Sequence, residues 1–245
     1  MVGARDPGKY AFTMIGPKPM ASDILIEPTG SSRPDVDLES PRRRIRMAPS
    51  DRIDMILDGA VEFFAEHGFN AQTRELARGL GVSQSLIYHY FLTKDDLIDK
   101  VYERNFLSRW RTDWEEILSD RERPIVDRLK TFYLSYLTVI DETNWIRIVM
   151  FSGLDGSNLT RRYIDTQISR ILRVIAIELR QGLAGDANDH APDEAELERV
   201  WHLHSTFIYY LVRKHIFKIA ALSDRKRLVD IVVDNFLHGV GHVKP

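Results

Sequence analysis

Cysteine is absent from all 245 residues, which excludes disulfides, thiolate catalysis and cysteine-based zinc sites. No run of eighteen or more apolar residues occurs, so no helix is expected to span a membrane. A basic-then-apolar leader is missing too: Pro7, Gly8, Pro17 and Pro19 interrupt the N-terminus, and a cytoplasmic protein is the expectation. Strand-like alternation of useful length is found nowhere. A large net charge of either sign is also lacking, because 34 Lys and Arg nearly balance 36 Asp and Glu. The resulting −2 gives no bulk attraction for phosphate. What is there suits a globular protein, 44% hydrophobic and 29% charged, and long enough for one large domain or two smaller ones.

Charge is not spread evenly. From Arg42 to Lys94 the cations Arg42, Arg43, Arg44, Arg46, Arg52, Arg74, Arg78 and Lys94 outnumber Asp51, Asp54, Asp58, Glu62, Glu66 and Glu75. Residues 1–48 hold Pro7, Pro17, Pro19, Pro28, Pro34 and Pro41 and no sustained period, which predicts a disordered tail. The tail ends in the basic stretch Pro41-Arg-Arg-Arg-Ile-Arg46. That stretch reads either as an arm reaching phosphates or a minor groove, or as a solvated charge run. Both readings stay open, and Met47 is an alternative start.

From Asp51 the pattern is helical. Ile53, Ile56, Leu57, Ala60, Phe63 and Phe64 recur at three-to-four spacing, and Gly68 stops the run. Leu76, Ala77 and Leu80 line a second, short helix, which Gly81 closes in the left-handed conformation. Ser83 is placed to cap a third helix with Ile87, Tyr90 and Phe91 on its buried side. In Leu92-Thr-Lys-Asp-Asp-Leu97, Thr93 predicts a cap with Asp96 answering it, and Leu92 and Leu97 occupy the positions of a hydrophobic staple. Further helices are expected at about 95–119, 124–141, 145–154, 159–183, 193–221 and 224–239. The fold class is therefore all-α: a three-helix helix-turn-helix head at 49–104 and a larger helical body at 105–245.

Two short helices about a Gly-Val-Ser turn, the second poor in charge and rich in hydrogen-bonding side chains, suit a DNA groove. Gly81-Val-Ser83, then Ile87-Tyr88-His89-Tyr90-Phe91, then Thr93-Lys94-Asp95-Asp96-Leu97 closely resembles the TetR (tetracycline-repressor-like) family of transcriptional regulators. The likeness covers about Arg52 to Tyr102. Gln72 departs from it, standing where a Thr often begins the second helix, and Gly79 lowers that helix's propensity by roughly 1 kcal/mol relative to Ala.

Base edges are read by short side chains near a recognition helix N-terminus, which nominates Ser83, Gln84, Ser85, Leu86 and His89. Gln84 is the best base reader, since an amide pairs bidentately with adenine, and Leu86 suits a thymine methyl. The resemblance adds Tyr88, and Lys94 as a phosphate contact. Thr73 and Arg74, at the start of the second helix, could grip the backbone. In the body, the resemblance implies a cavity for a small-molecule effector. Candidate wall residues are Trp110, Trp114, Tyr133, Tyr136, Trp145, Phe151, Tyr163, Trp201, His204 and Phe207, although aromatics at this spacing also build cores. Asn144, Arg147, His202 and Thr206 join His204 as polar groups able to orient a ligand. The resemblance also implies a homodimer through the last two helices, with Tyr210, Leu211, Leu228, Ile231, Val232, Asn235 and Phe236 as candidates.

The expected function is a ligand-responsive regulator, most often a repressor in such a family, binding a palindromic operator as a dimer and released by an effector. No cofactor is expected. Glu194, Glu198 and His202 share a helical face, but charged faces often produce that spacing and no metal is expected. An all-α enzyme would need a nucleophile–base pair or paired carboxylates, and the sequence offers neither. A non-specific nucleic-acid binder driven by Arg42–Arg46 is the remaining alternative.

Overall fold

The computed structural model describes residues 47–184 and 190–240; the basic stretch Arg42–Arg46 lies outside them. Among the described residues there are eleven α-helices and no strand. Helix α1 (Pro49–His67) opens with Pro at its first position and buries Ile56, Ala60 and Phe64 on one stripe. Helices α2 (Thr73–Gly79) and α3 (Gln84–Tyr90) follow, then α4 (Lys94–Asn105). Leu76, Ala77, Ile87, Phe91, Leu97 and Val101 close the head's core over α1. Phe64 stacks on Phe69 at 5.0 Å between ring centres. Truncating a fully buried Phe costs about 3–5 kcal/mol, so this small core depends on few side chains.

The body comprises α5 (Trp114–Ser119), α6 (Ile125–Ile140), α7 (Thr143–Leu154), α8 (Leu159–Tyr163), α9 (Ser169–Ala184), α10 (Glu194–Leu211) and α11 (Arg225–Val240). A π-helical turn at Ile164–Ile168 joins α8 to α9, and another at Val212–Ile216 extends α10. Trp114, Phe132, Tyr133, Tyr136 and Phe207 form its aromatic centre. Two buried carboxylates tie the helices together. Glu178 accepts from Arg128, which is also buried, at 2.6 Å. Asp141, at the end of α6, accepts from Lys214, His215 and Arg225 at 2.7–2.8 Å. Burial works to raise the Asp141 pKa, but these hydrogen bonds outweigh it and hold it at about 2.

Three expectations need correction. The run expected at 95–119 breaks at Phe106, where Ser108 Oγ donates to the Arg104 carbonyl, a side-chain bond that competes with the helix ladder. A short 3₁₀ turn at Leu107–Arg109 follows and brings Trp110 edge-on to Trp114 at 4.8 Å. The tenth helix stops at Ile216 rather than Ala221, because Lys218 takes a positive φ of 55°. Finally, Leu92 and Leu97 form no staple: Leu97 is buried while Leu92 is 83% exposed. Asp96 instead accepts from the Leu92 N–H at 3.0 Å, while Thr93 caps the Asp96 N–H at 3.0 Å. The start of α4 is thus fixed by polar groups alone.

Candidate nucleic-acid interface and effector cavity

The turn between α2 and α3 is set by Gly81, whose φ of 64° an L side chain rarely adopts, and by the Val82 N–H donating to the Ala77 carbonyl at 3.0 Å. Ser83 Oγ accepts from the Leu86 N–H at 3.2 Å and starts α3. Ile87 is the buried residue of that helix, so Ser85, Tyr88 and His89 face outward and Gln84 and Leu86 are half-buried. The outward face is an uncharged hydrogen-bonding surface on a short helix.

Thr73 lies differently from its sequence-based expectation. It is only 5% exposed. Its hydroxyl takes a hydrogen bond from Gln84 Nε2 at 2.9 Å and shares another with Tyr88 Oη at 2.9 Å. The α2 and α3 candidates are therefore joined into one latch. An amide nitrogen carries two hydrogens, so Gln84 keeps one N–H and its oxygen for other partners. Gln72 offers α2 no side-chain cap, and of the first-turn N–H groups that of Glu75 donates to the Gln72 carbonyl at 2.9 Å. Lys94 sits in the first turn of α4 beside Asp95 and Asp96. Among the described residues Arg74, Arg78 and Lys94 take part in no ion pair, whereas Arg104 is bound to Asp54 and Asp58. Arg78, exposed near the end of α2, is a cation the sequence reading passed over.

A cavity of about 450 Å³ opens in the body. Of the ten aromatic candidates, Tyr136, Trp145, Tyr163, Trp201 and His204 line it. Trp114, Tyr133 and Phe207 are buried in the core instead. Trp110 packs on Trp114, and Phe151 lies under the guanidinium of Arg147. The rest of the wall is aliphatic, including Val149, Met150, Ile164, Ile168 and Ile208, with Gly153, the exposed Leu154 and Ser205 towards solvent. Of the five polar groups nominated to orient a ligand, only His204 reaches the cavity. His202 is exposed beside Glu198, and Thr206 is exposed and bonded to its own helix. Among the described residues no cluster could hold a metal ion.

Arg147 points the other way, and sequence gave no sign of it. Its guanidinium donates to the carbonyls of Ala65 and Glu66, the unsatisfied acceptors at the end of α1. Eight residues on, Asp155 Oδ2 accepts from the Phe69 N–H at 2.7 Å. Gly68 makes the approach possible: a Cβ there would stand 2.5 Å from Asp155 Oδ2, on a backbone with φ of 76°. One side of α7 thus lines the cavity through Val149, Met150 and Gly153, while Arg147 and Asp155 hold the chain leading from α1 to α2. A second link runs from α4 to α8: Arg162 pairs with Asp99 and lies 4.5 Å over the Tyr102 ring.

Residues 56–101 match the model for bacterial regulatory proteins of the tetR family. The HTH-type transcriptional repressor KstR2 of Mycobacterium tuberculosis (strain ATCC 25618 / H37Rv) is 27% identical over 99 residues, 40% of this chain and 48% of that protein. The fatty acid metabolism regulator protein of Bacillus subtilis (strain 168) is 32% identical over 133 residues, 52% of this chain and 66% of that protein. The helix-turn-helix segment is that of the TetR family. The chain spans about half the length of the KstR2 proteins it matches. A TetR-like transcriptional regulator from Rhodococcus sp. RHA1 superposes with a TM-score of 0.61 over 79% of this chain and 100% of that one. At 15% identity this likeness concerns the TetR fold alone. Among the described residues the protein is all-α, and its helix-turn-helix lies within the segment that matches the tetR-family model. No helix among those residues is long and apolar enough to cross a membrane.

Proposed function

We propose that this TetR-family protein is a cytoplasmic repressor that binds a palindromic operator as a homodimer and releases it when a small molecule fills the body cavity. The observation that carries the proposal is the two-sided placement of α7, between the cavity wall and the end of α1. A ligand that favours one arrangement of α7 changes the aim of the head, because the bonds from Arg147 and Asp155 end four to eight residues before α2. The division between head and body falls at the break after α4, at about residue 104.

In this reading Gln84, held by Thr73, meets a base edge, with Ser83, Ser85, Leu86 and His89 beside it. Tyr88, Arg74 and Lys94 serve the phosphates, while Thr73 acts as a positioning residue through the side chains it holds. Dimerisation uses α10 and α11. Tyr210, Leu211 and Leu228 are buried in the chain's own core, which leaves exposed Ile231 and Asn235, half-buried Val232 and Phe236, and exposed Tyr209 for a partner. Two-fold symmetry places two recognition helices about 34 Å apart, or a multiple of it.

Fluorescence anisotropy against fragments of the gene's own upstream DNA, over a salt series, tests the reading. Selective binding is expected, and Gln84→Ala should relax preference at one position per half-site by about 1–3 kcal/mol. Lys94→Ala should weaken all sequences alike and lower the salt slope by about one. Failure to bind any fragment selectively at low salt would remove the operator reading.

A further inference from the structure

The cavity wall restricts what can enter it. No Asp, Glu, Lys or Arg is among its lining residues. Moving an unpaired carboxylate or phosphate into such a site loses its hydration without compensation. The volume of about 450 Å³ suits a single small molecule. Several polar side chains of the wall are already engaged. Tyr136 and Tyr163 approach each other through their hydroxyls at 3.5 Å, and Thr160 Oγ1 donates to the Val149 carbonyl at 3.1 Å. His204 is not engaged: it is 3% exposed, and its Nδ1 has no hydrogen-bond partner among the described residues. It is packed among the rings of Tyr133, Tyr136 and Trp201 at 5.5–6.3 Å. Burial holds its pKa near 4, so the ring is a neutral donor–acceptor at ordinary pH.

We propose that the cavity binds an uncharged, largely apolar molecule carrying one hydroxyl or carbonyl oxygen, and that His204 is the group that recognises this oxygen. The proposal rests on the effector reading above for its regulatory meaning, but binding itself is separable from operator release. It also separates this site from one built for a free acid, which would need a cation in the wall.

Two probes of equal chain length decide it: 1-decanol, uncharged with one oxygen, and decanoate at pH 8. Thermal shift and titration calorimetry on the full chain should show saturable binding of 1-decanol and little or none of decanoate. His204→Leu should weaken 1-decanol about fivefold, the share of one net hydrogen bond, and His204→Gln, which keeps a donor and an acceptor, should restore most of it. The unliganded melting temperature of each variant shows whether the body remains folded. Tighter binding of decanoate than of 1-decanol, equal binding by His204→Leu, or no binding of either probe would each overturn the proposal. If 1-decanol binds through His204 but leaves the operator complex intact, the ligand class stands and the reading of the cavity as an effector site fails.

Discussion

The head and the body put their polar side chains to opposite uses. In the head, Ser85, Tyr88 and His89 gather on the outside of a seven-residue helix, with Gln84 half-buried and tied with Tyr88 to the buried Thr73. In the body, the wall of the cavity is almost wholly apolar, and the charges that are buried, Asp141, Glu178 and Arg128, are paired elsewhere. A surface for a wet, polyanionic partner spends little on desolvation; an apolar wall favours a ligand that has little hydration to lose. The difference also explains why the two regions need a mechanical link. They are tied in two places, by the bonds from Arg147 and Asp155 to the end of α1 and the chain after it, and by the pairing of Arg162 with Asp99.

Acid should separate the regions most strongly. His204 has its folded-state pKa lowered from 6.5 to about 4 by burial. Its stabilising share is therefore complete above about pH 6.5 and is lost as pH falls towards 4, amounting to about 3 kcal/mol. Asp141, depressed to about 2, adds a second loss between about pH 4 and 2. Urea midpoints followed against pH should slope in the first window for the wild type and much less for His204→Leu. Equal slopes would show that the buried histidine does not govern the body's acid response.

Next in size is Gly68→Ala. Its Cβ would meet Asp155 Oδ2 at 2.5 Å on a backbone held at φ of 76°, so a loss of about 2 kcal/mol is expected, with reduced operator affinity. A variant that melts and binds like the wild type would mean that the α1–α7 junction gives way freely. Thr73→Val keeps the shape of the side chain and removes both bonds of the latch. It should cost about 1 kcal/mol and relax base preference at the same operator position as Gln84→Ala; a change at a different position would uncouple the two residues. The smallest effect has the opposite sign. A Cβ at Gly79 meets nothing within 4 Å, so Gly79→Ala should stabilise the head by about 0.5–1 kcal/mol while leaving the body's acid transitions unchanged.

Local rules made much of the head legible in the sequence. The left-handed Gly81, the caps at Ser83 and Thr93 and the apolar stripe of α1 are statements about neighbours within four residues, and each has its counterpart in the structure. The staple failed because it required Leu92 to find a partner, and a polar bond from its own N–H was enough to fix the turn. In the body, the spacing of aromatics identified the helices but could not tell core from cavity wall. Trp114 and Trp145 read alike in sequence and differ only in what lies across from them. Arg147 was read as a ligand-facing group for the same reason. Its partners, Ala65 and Glu66, are some eighty residues away, and backbone carbonyls leave no mark in a sequence.

The link between the regions can be measured as a ratio: operator affinity without and with saturating 1-decanol, in the wild type and in an Arg147→Ala/Asp155→Asn double variant. The wild type should lose about tenfold or more in affinity, a coupling of about 1.4 kcal/mol, and the double variant should lose little while still binding 1-decanol. A double variant that binds the probe and releases the operator as fully as the wild type would contradict the account, because the signal would then reach the head by a path other than α7.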